Sequence, residues 1–449
     1  MRILMLSWEY PPKNVGGLAR HVEDLAISLA AARHEVHVLT IGQSGGASER
    51  RENGVIVHRV EPYPIHTPDF ITWVLQLNAR FIEQAVIIMR KYGPFHIIHA
   101  HDWLAAVTAR ALKHAYRLPL VATIHATEAG RNSGLYNEMQ RYINSVEWWL
   151  TYESWKVIVC SQHMRQEVQG LFQLPPDKIN IIPNGVYTKK FRVTSVDPQV
   201  RKCFATSHEK IIFFVGRLVV EKGVQVLLEA MPEILEKCPE AKLVIAGKGP
   251  MEGQLKNRAG ELGIGHKVCF AGYIDDHTRN QLYRAASVAV FPSLYEPFGI
   301  VALEAMAAGT PVVASETGGL AEIITHGIDG MRVFPGNVGS LADNILAVLH
   351  DESLAKKLRA NAGKLVREEY DWTKIARKTS ELYQEVYNQY RRTSWPARPS
   401  IIDRLRQFAP LVEEHFDRPD TPLSGRYDLA RRRAALVNQS RGREEINQE

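Results

Sequence analysis

Short apolar runs alternate with amphipathic stretches along most of this chain. The first run, RILMLS at residues 2–7, precedes a polar loop and then Leu18, Val22, Leu25, Ala26 and Leu29 at helical spacing. The run EVHVLT from Glu35 to Thr40 follows, so the opening segment predicts a β-α-β unit. The alternation continues with an amphipathic helix from about Ile71 to Tyr92. After it come strands in FHIIHAHDW (Phe95 to Trp103), LVATIH (Leu120 to His125), KVIVCS (Lys156 to Ser161) and KINIIPNGV (Lys178 to Val186). Residues Tyr187 to Lys210 are polar and aperiodic and read as a linker. Beyond them the runs resume as IIFFV (Ile211 to Val215), AKLVIAGKGP (Ala241 to Pro250), VCFAGYID (Val268 to Asp275), SVAVF (Ser287 to Phe291) and PVVA (Pro311 to Ala314). Strands alternating with helices predict an α/β chain with parallel, doubly wound sheets.

Length sharpens this picture. At 449 residues the chain is too long for one core. The expected division is a first domain over 1–190, a second over 205–372, and a last helix over 374–390 that returns to the first domain. Residues 391–449 hold twelve arginines, no lysine, nine acidic residues and five prolines, and are expected to be a partly disordered tail. A hydrophobic content of 45% with 23% charged residues describes a globular protein, and no run nears a membrane span. No cleavable leader is evident in MRILMLSWEY, so a cytoplasmic location is expected. The four cysteines (Cys160, Cys203, Cys238, Cys269) lack CxxC pairing and suggest neither zinc nor a disulfide framework. A net charge of +6 is spread along the chain without an aromatic-interleaved patch. Nucleic acid is therefore not expected as a partner, while peripheral contact with an anionic membrane stays open.

The chemistry concentrates in YEPFGIVALEAMAAG, Tyr295 to Gly309, between two predicted strands. Pro297 and Gly299 permit a tight turn, a small-residue helix starts near Ile300, and Gly309 stands where a helix ends. Free backbone N–H groups and the positive end of the dipole make such a helix start suited to a phosphate. Glu296 and Glu304 frame it. Glu304 can accept from the vicinal hydroxyls of a ribose, and Glu296 faces what hangs from the phosphates, a layout that fits a nucleotide-sugar. Taken singly, either glutamate is explained as a cap or a surface residue.

Gly16 and Gly17 open the first helix at the carboxyl end of the first strand, where ligands bind in doubly wound sheets. Arg217 and Lys222 share a glycine-bounded loop after Ile211–Val215 and offer a fork and a point charge to a diphosphate. His125 ends a strand, again where functional groups sit in such sheets. Gly247, Gly249, Gly318 and Gly319 are further candidates for close backbone approach to donor. The group His99, His101 and Asp102 is not read as a metal site: Asp102 is expected to cap the helix WLAAVTARAL, with His101 pointing into the cleft. Asp275 reads as a helix start. Trp148, Trp149 and Trp155 are read as structural packing residues.

The stretch YEPFGIVALEAMAAGTPVVAS, with its Glu-x7-Glu spacing, resembles the signature of retaining glycosyltransferases of the GT-B fold, family 4 type. That group includes glycogen synthases, sucrose synthases and many lipid and cell-wall sugar transferases. The phrases HAHDW and HATEAGR also resemble glycogen synthases of archaeal and bacterial type, and the likeness spans roughly residues 1–390. The resemblance implies two Rossmann-like domains facing across a cleft and a hexose moved from a nucleoside diphosphate with retention. It implies ADP-glucose or UDP-glucose as donor and an α-1,4-glucan as acceptor, with lipid or cell-wall acceptors as the alternative. It implies roles for Arg217 and Lys222 on the departing diphosphate and for Gly16, Gly17, Gly299 and Ile300 near phosphate. Glu304 would hold the ribose, and Glu296 and His125 the sugar. No metal and no cofactor are required; a phosphorylase would need a lysine-bound pyridoxal phosphate, for which no site is apparent, and a sugar-nucleotide sensor would keep the donor site without turnover. The chain departs from the family at two places. Asn14 stands where Lys-x-Gly-Gly has its lysine, with Lys13 one residue early, and Tyr187 replaces the aspartate of Asn-Gly-Val-Asp.

Overall fold

Strands buried on both faces read as continuous apolar runs, and the runs of this chain assemble into two separate parallel sheets. The computed structural model describes residues 1–13, 16–42, 47–191, 193 and 195–395. Asn14 and nearly all of the arginine-rich tail, from residue 396 on, lie outside them.

The first sheet comprises β1 (Arg2–Leu6), β2 (Glu35–Ile41), β3 (Ser48–Glu52), β4 (Val55–Val60), β5 (Ile97–His101), β6 (Leu120–Ile124), β7 (Lys156–Val159) and β8 (Ile179–Ile181). Its order is β3-β4-β2-β1-β5-β6-β7-β8. Only β3 runs antiparallel to its neighbour. That strand, SERRE, carries no apolar signal. It is an edge strand held by backbone pairing to β4, and its charges keep the edge in water.

The second sheet comprises β9 (Lys210–Val215), β10 (Ala241–Ala246), β11 (Val268–Gly272), β12 (Val288–Phe291), β13 (Val312–Ser315) and β14 (Met331–Val333). Its order is β11-β10-β9-β12-β13-β14, parallel throughout. In each sheet the strand order reverses once, between β1 and β5 and between β9 and β12. A doubly wound sheet leaves a crevice at the carboxyl side of such a reversal, because the two flanking crossovers go to opposite faces.

The stretch between the sheets is more ordered than its composition predicts. It contains a 3-10 turn at Thr188–Phe191 and a short helix, Pro198–Lys202, whose N-cap Asp197 accepts from Gln199 N–H. Tyr187 packs on Trp372 and its hydroxyl bonds Ser28. The last helix, Trp372–Arg391, lies against the first lobe. Tyr383 bonds His99 Nδ1 at 2.6 Å, Ser380 bonds His34 at 2.8 Å, and Glu385 pairs with Lys156 at 3.2 Å. Trp372 is buried against Gly185, where a Cβ would come within 2.9 Å of the indole. Trp149 lies over Arg110 and Trp155 packs on the core, but Trp148 is 45% exposed and stacks on Tyr152 at the surface. None of the helices among the described residues is long and apolar enough to cross a membrane.

His37 and His58 are buried side by side in the first sheet, Nδ1 to Nε2 at 3.0 Å. Burial and the neighbouring imidazole push His58 down to about 4. An unfolded histidine titrates near 6.5, so between pH 6.5 and 4 the unfolded chain binds more protons than the folded one. Stability is therefore lost as pH falls through that window, by roughly 3 kcal/mol from this residue at most. Urea midpoints measured from pH 7 to 4 should fall, and the His58→Leu variant should show a flatter dependence over the same interval. An equally steep curve in that variant would place the titration elsewhere.

Candidate active site in the cleft between the lobes

In the second lobe, the reversal point brings two loops together. The loop after β9 runs from Gly216 to Gly223 and the loop after β12 from Pro292 to Gly299. Leu294 N–H donates to Glu221 O at 2.8 Å, and a Cβ on Gly223 would overlap the carbonyl of Pro292. Their contact sets Lys222 Nζ 2.6 Å from Glu296 Oε2, with Ser293 Oγ donating to the same oxygen at 3.3 Å. Glu296 is only 8% exposed, so this cation anchors a carboxylate that burial would otherwise penalise. Arg217 lies on the same loop but turns outward. Its guanidinium is 46% exposed and pairs with Glu221 at 3.4 Å.

Glu296 leads directly into the helix Ile300–Ala308. Gly299 takes φ +107°, and a Cβ there would lie 2.5 Å from Leu320, so the turn admits only glycine comfortably. No side chain caps this helix start, and Gly309 closes the other end at φ +76°. Gly318, itself at φ +49°, packs against the carbonyl of Glu296, and Gly319 N–H donates to that carbonyl at 2.9 Å. Gly249 likewise crosses Leu218 with no room for a side chain. These glycines therefore hold the loop backbones together.

Glu304, one turn into the helix, is 5% exposed. Tyr283 Oη donates to Oε2 at 3.1 Å, and Arg279 Nε stands 3.7 Å from the same oxygen. Arg20, from the first lobe, reaches across. Its guanidinium lies 3.8 Å from Glu304 and 2.5 Å from Asp276. Burial beside Glu304 drives the Tyr283 phenol far above its ordinary range, so it stays a donor to the carboxylate.

The first lobe presents its own helix start. Gly16 precedes the helix Gly17–Ala31, and a Cβ on Gly17 would meet Ile300 Cδ1 at 3.3 Å. The N-termini of two helices from different lobes thus face each other over one gap, each carrying roughly half a positive charge. Gly16 N–H already donates to Glu9 Oε2 at 3.1 Å, so a phosphate contacting that amide would displace a carboxylate. Next to the gap lies a small open hollow, lined among others by Arg20, His21, Lys190, Arg279, Ile300 and Glu304.

His125 sits at the carboxyl end of β6, as the sequence reading placed it. Two expectations for its neighbours are corrected. Asp102 does not cap the helix after β5: it has φ 59° and no capping bond, and its Oδ1 instead accepts from His125 N–H at 2.8 Å. Burial raises its carboxyl to about 6. Nor does His101 point into the cleft, for it is fully buried with Nδ1 3.2 Å from His125 Nε2. Burial and the Arg131 charge hold His125 down at about 3, so the ring is neutral at physiological pH.

The lobes meet beyond the gap as well. Ser161 Oγ donates to Pro297 O at 2.8 Å, Tyr295 Oη donates to Glu167 at 3.0 Å, and Glu322 accepts from the N–H groups of Gln162 and His163. Glu322 thereby serves as an acidic cap on a helix of the opposite lobe.

Of the sequence candidates, the structure brings Gly17, Ile300, Gly299, Glu296, Lys222 and Glu304 into one region, with Arg217 at its rim and His125 in the facing lobe. Sequence reasoning missed Arg20, Glu9, Asp276, Arg279 and Tyr283. The usable signal was there for Arg20, three residues past Gly17 on the first helix turn. The others became visible only once the lobes were apposed.

Because Gly299 has a positive φ and contacts Leu320, Gly299→Ala should cost about 1–2 kcal/mol from the backbone alone. Urea denaturation checks this; an unchanged midpoint would mean the turn relaxes without loss.

The relatives agree with this architecture. Residues 15–190 match the family model described as Glycosyltransferase Family 4, and residues 197–365 match that of Glycosyl transferases group 1. An uncharacterized glycosyltransferase of Methanocaldococcus jannaschii is 44% identical over 389 residues, which is 86% of this chain and 98% of the relative. A protein of Mycobacterium tuberculosis named glycogen synthase is 37% identical over 398 residues, 85% of this chain and 94% of the relative. The solved sucrose-phosphate synthase of Thermosynechococcus elongatus superposes with a TM-score of 0.76 at 27% identity, over 87% of this chain and all of its own. With both halves matched and a named glycosyltransferase aligned along nearly its whole length, the chain belongs to the family-4 glycosyltransferases of the GT-B fold.

Proposed function

We propose that this glycosyltransferase moves glucose, with retention at the anomeric carbon, from ADP-glucose or UDP-glucose to the non-reducing end of an α-1,4-glucan. The observation that carries the reading is the Lys222–Glu296 pair set beside two opposed helix starts, since a diphosphate needs cation and amides together. The similarity to a relative named glycogen synthase supports glucose and glucan over other sugars and acceptors.

In this mechanism the donor diphosphate lies against the helix starts at Ile300 and Gly17, and the ribose hydroxyls take the place of Arg20 at Glu304. The C1–oxygen bond breaks and its electron pair passes to the diphosphate. Lys222, Arg217 and the amides near Gly299 and Ile300 stabilise the charge that grows there. The acceptor hydroxyl attacks C1 on the face the diphosphate leaves, and its proton passes to a departing phosphate oxygen. Glu296 and His125 orient the sugar. The chain supplies its own cations, so no metal or cofactor enters this route. Closure of the lobes excludes water and limits wasteful donor hydrolysis.

Incubation with labelled ADP-, UDP- and GDP-glucose, with and without glycogen, tests the reading. Glucan elongation is the expected result. Slow donor hydrolysis without elongation would point to a lipid or cell-wall acceptor, and tight binding without turnover to a sensor. Lys222→Ala should lower kcat by about 10²–10³-fold with a smaller change in donor affinity, because the leaving-group charge peaks in the transition state. Glu304→Ala should instead weaken nucleotide binding, by about tenfold. Unchanged kinetics in both variants would remove the donor-site assignment.

A further inference from the structure

Three imidazoles from three separate elements converge behind the cleft. His21 comes from the helix Gly17–Ala31, His101 ends β5, and His125 follows β6. One ring nitrogen from each lies within 4.8 Å of those of the other two. The ring centroids of His21 and His125 are 4.5 Å apart, and both other pairs are at 5.5 Å. His21 is 5% exposed and His101 fully buried, yet both nitrogens of His21 and Nε2 of His101 have no hydrogen-bond partner among the described residues. Asn184 stands beside His21 as a polar neighbour, and its own Oδ1 has no other partner among the described residues. Buried nitrogens left without partners are expensive, and a structure that keeps several of them in one place needs a reason.

His99 shows the contrast. It touches the same cluster, at 4.1 Å from the His101 ring, but both of its nitrogens are used, by Tyr383 and Thr123. Hydrogen bonding therefore accounts for His99 in full and for one nitrogen each of His101 and His125, which bond each other, but not for His21 or for Nε2 of His101.

We propose that His21, His101 and His125 form a binding site for a divalent cation of the zinc class. Three neutral imidazoles with a position left for a fourth ligand make a donor set that suits zinc. Tetrahedral bonds of about 2.0–2.1 Å put neighbouring nitrogens roughly 3.3 Å apart. His101 Nδ1 and His125 Nε2 already stand at 3.2 Å, and a nitrogen of His21 lies within 4.8 Å of the ligand atoms of both, so the His21 ring must close in for the ion to bind. Burial keeps all three rings in the neutral form that ligates, helped by neighbouring imidazoles at His21 and His101 and by Arg131 at His125. His21 also lines the open hollow, which gives the ion a way in. The site is not needed for the transfer reaction; occupying it withdraws His125 from the cleft, so the ion acts as an inhibitor. That last consequence rests on the transferase reading, whereas the binding itself does not.

Full-length protein stripped with EDTA and titrated with Co²⁺ should take up one equivalent with the visible bands of a tetrahedral nitrogen site, and Zn²⁺ should displace it. His21→Gln and His101→Gln should each weaken binding at least tenfold, with circular dichroism confirming the fold. Should either variant fail to fold, His125→Gln supplies the same reading. Absence of a stoichiometric ion, or binding unchanged in all the folded variants, overturns the site. Zinc should also slow sugar transfer and EDTA restore it. Stoichiometric binding without inhibition upholds the site and removes His125 from the donor sugar instead.

Discussion

The approach of Gly17 to Ile300 is the constraint on which the rest of the cleft depends. Two helix starts, each with amides and a positive dipole end, are brought within van der Waals reach by different sheets. Like partial charges facing across a gap repel one another. In the proposed reaction, a diphosphate held against both helix starts would offset that repulsion. Each sheet contributes its helix start at or beside its own reversal of strand order, so the topology aims both lobes at one place before any side chain is chosen. Gly17 then matters for its absent side chain, since a Cβ there would crowd the terminal methyl of Ile300.

Side-chain charges around this gap are paired with one another. Glu304 is held by Tyr283, Arg279 and Arg20, and Asp276 by Arg20 and Arg279, so two cations and two anions close a network across the lobes. The buried Arg279–Glu304 pair adds little net stability, because desolvation offsets the attraction, but removing one partner strands the other, whereas Asp276 is exposed at the rim. A ribose that bonds Glu304 must replace Arg20, and Arg20 is the part of the network that belongs to the other lobe. Under the proposed function, nucleotide binding and the contact between lobes would therefore be coupled through one carboxylate. The same would hold at Gly16, whose amide donates to Glu9, a carboxylate that a phosphate bound there would have to displace.

Much of this was legible in the chain because the signals were local. A buried parallel strand announces itself as an apolar run, and the turn at Gly299 announces itself as glycine at the start of a small-residue helix. Where a candidate site is built from residues close in sequence, as Glu296 and Glu304 are, reading along the chain suffices. Contacts between lobes carry no such signature. Arg20 is an ordinary helix residue until Asp276, far along the chain, is set beside it. Asp102 is instructive in another way: aspartate before a helix is usually a cap, but its φ of 59° turns the carboxylate back to His125 N–H, and composition cannot report a backbone angle. The edge strand β3 was equally silent, because backbone pairing rather than side-chain burial holds it in place.

The histidines show how one element can serve two demands. β5 is buried on both faces, a setting that ordinarily excludes ionisable groups, yet it carries His99 and His101. Imidazole is tolerated there because it can be neutral and still offer one donor and one acceptor. His99 uses both, tying the last helix to the sheet through Tyr383 and so fastening the segment that returns from the second lobe. His101 uses one and turns the other side of its ring to no described partner. Packing alone would have been served by leucine or valine at that position, with no stranded nitrogen. The polar ring is therefore explained by what it meets at the carboxyl end of the sheet, where His21 and His125 complete a set of nitrogens and the cleft begins.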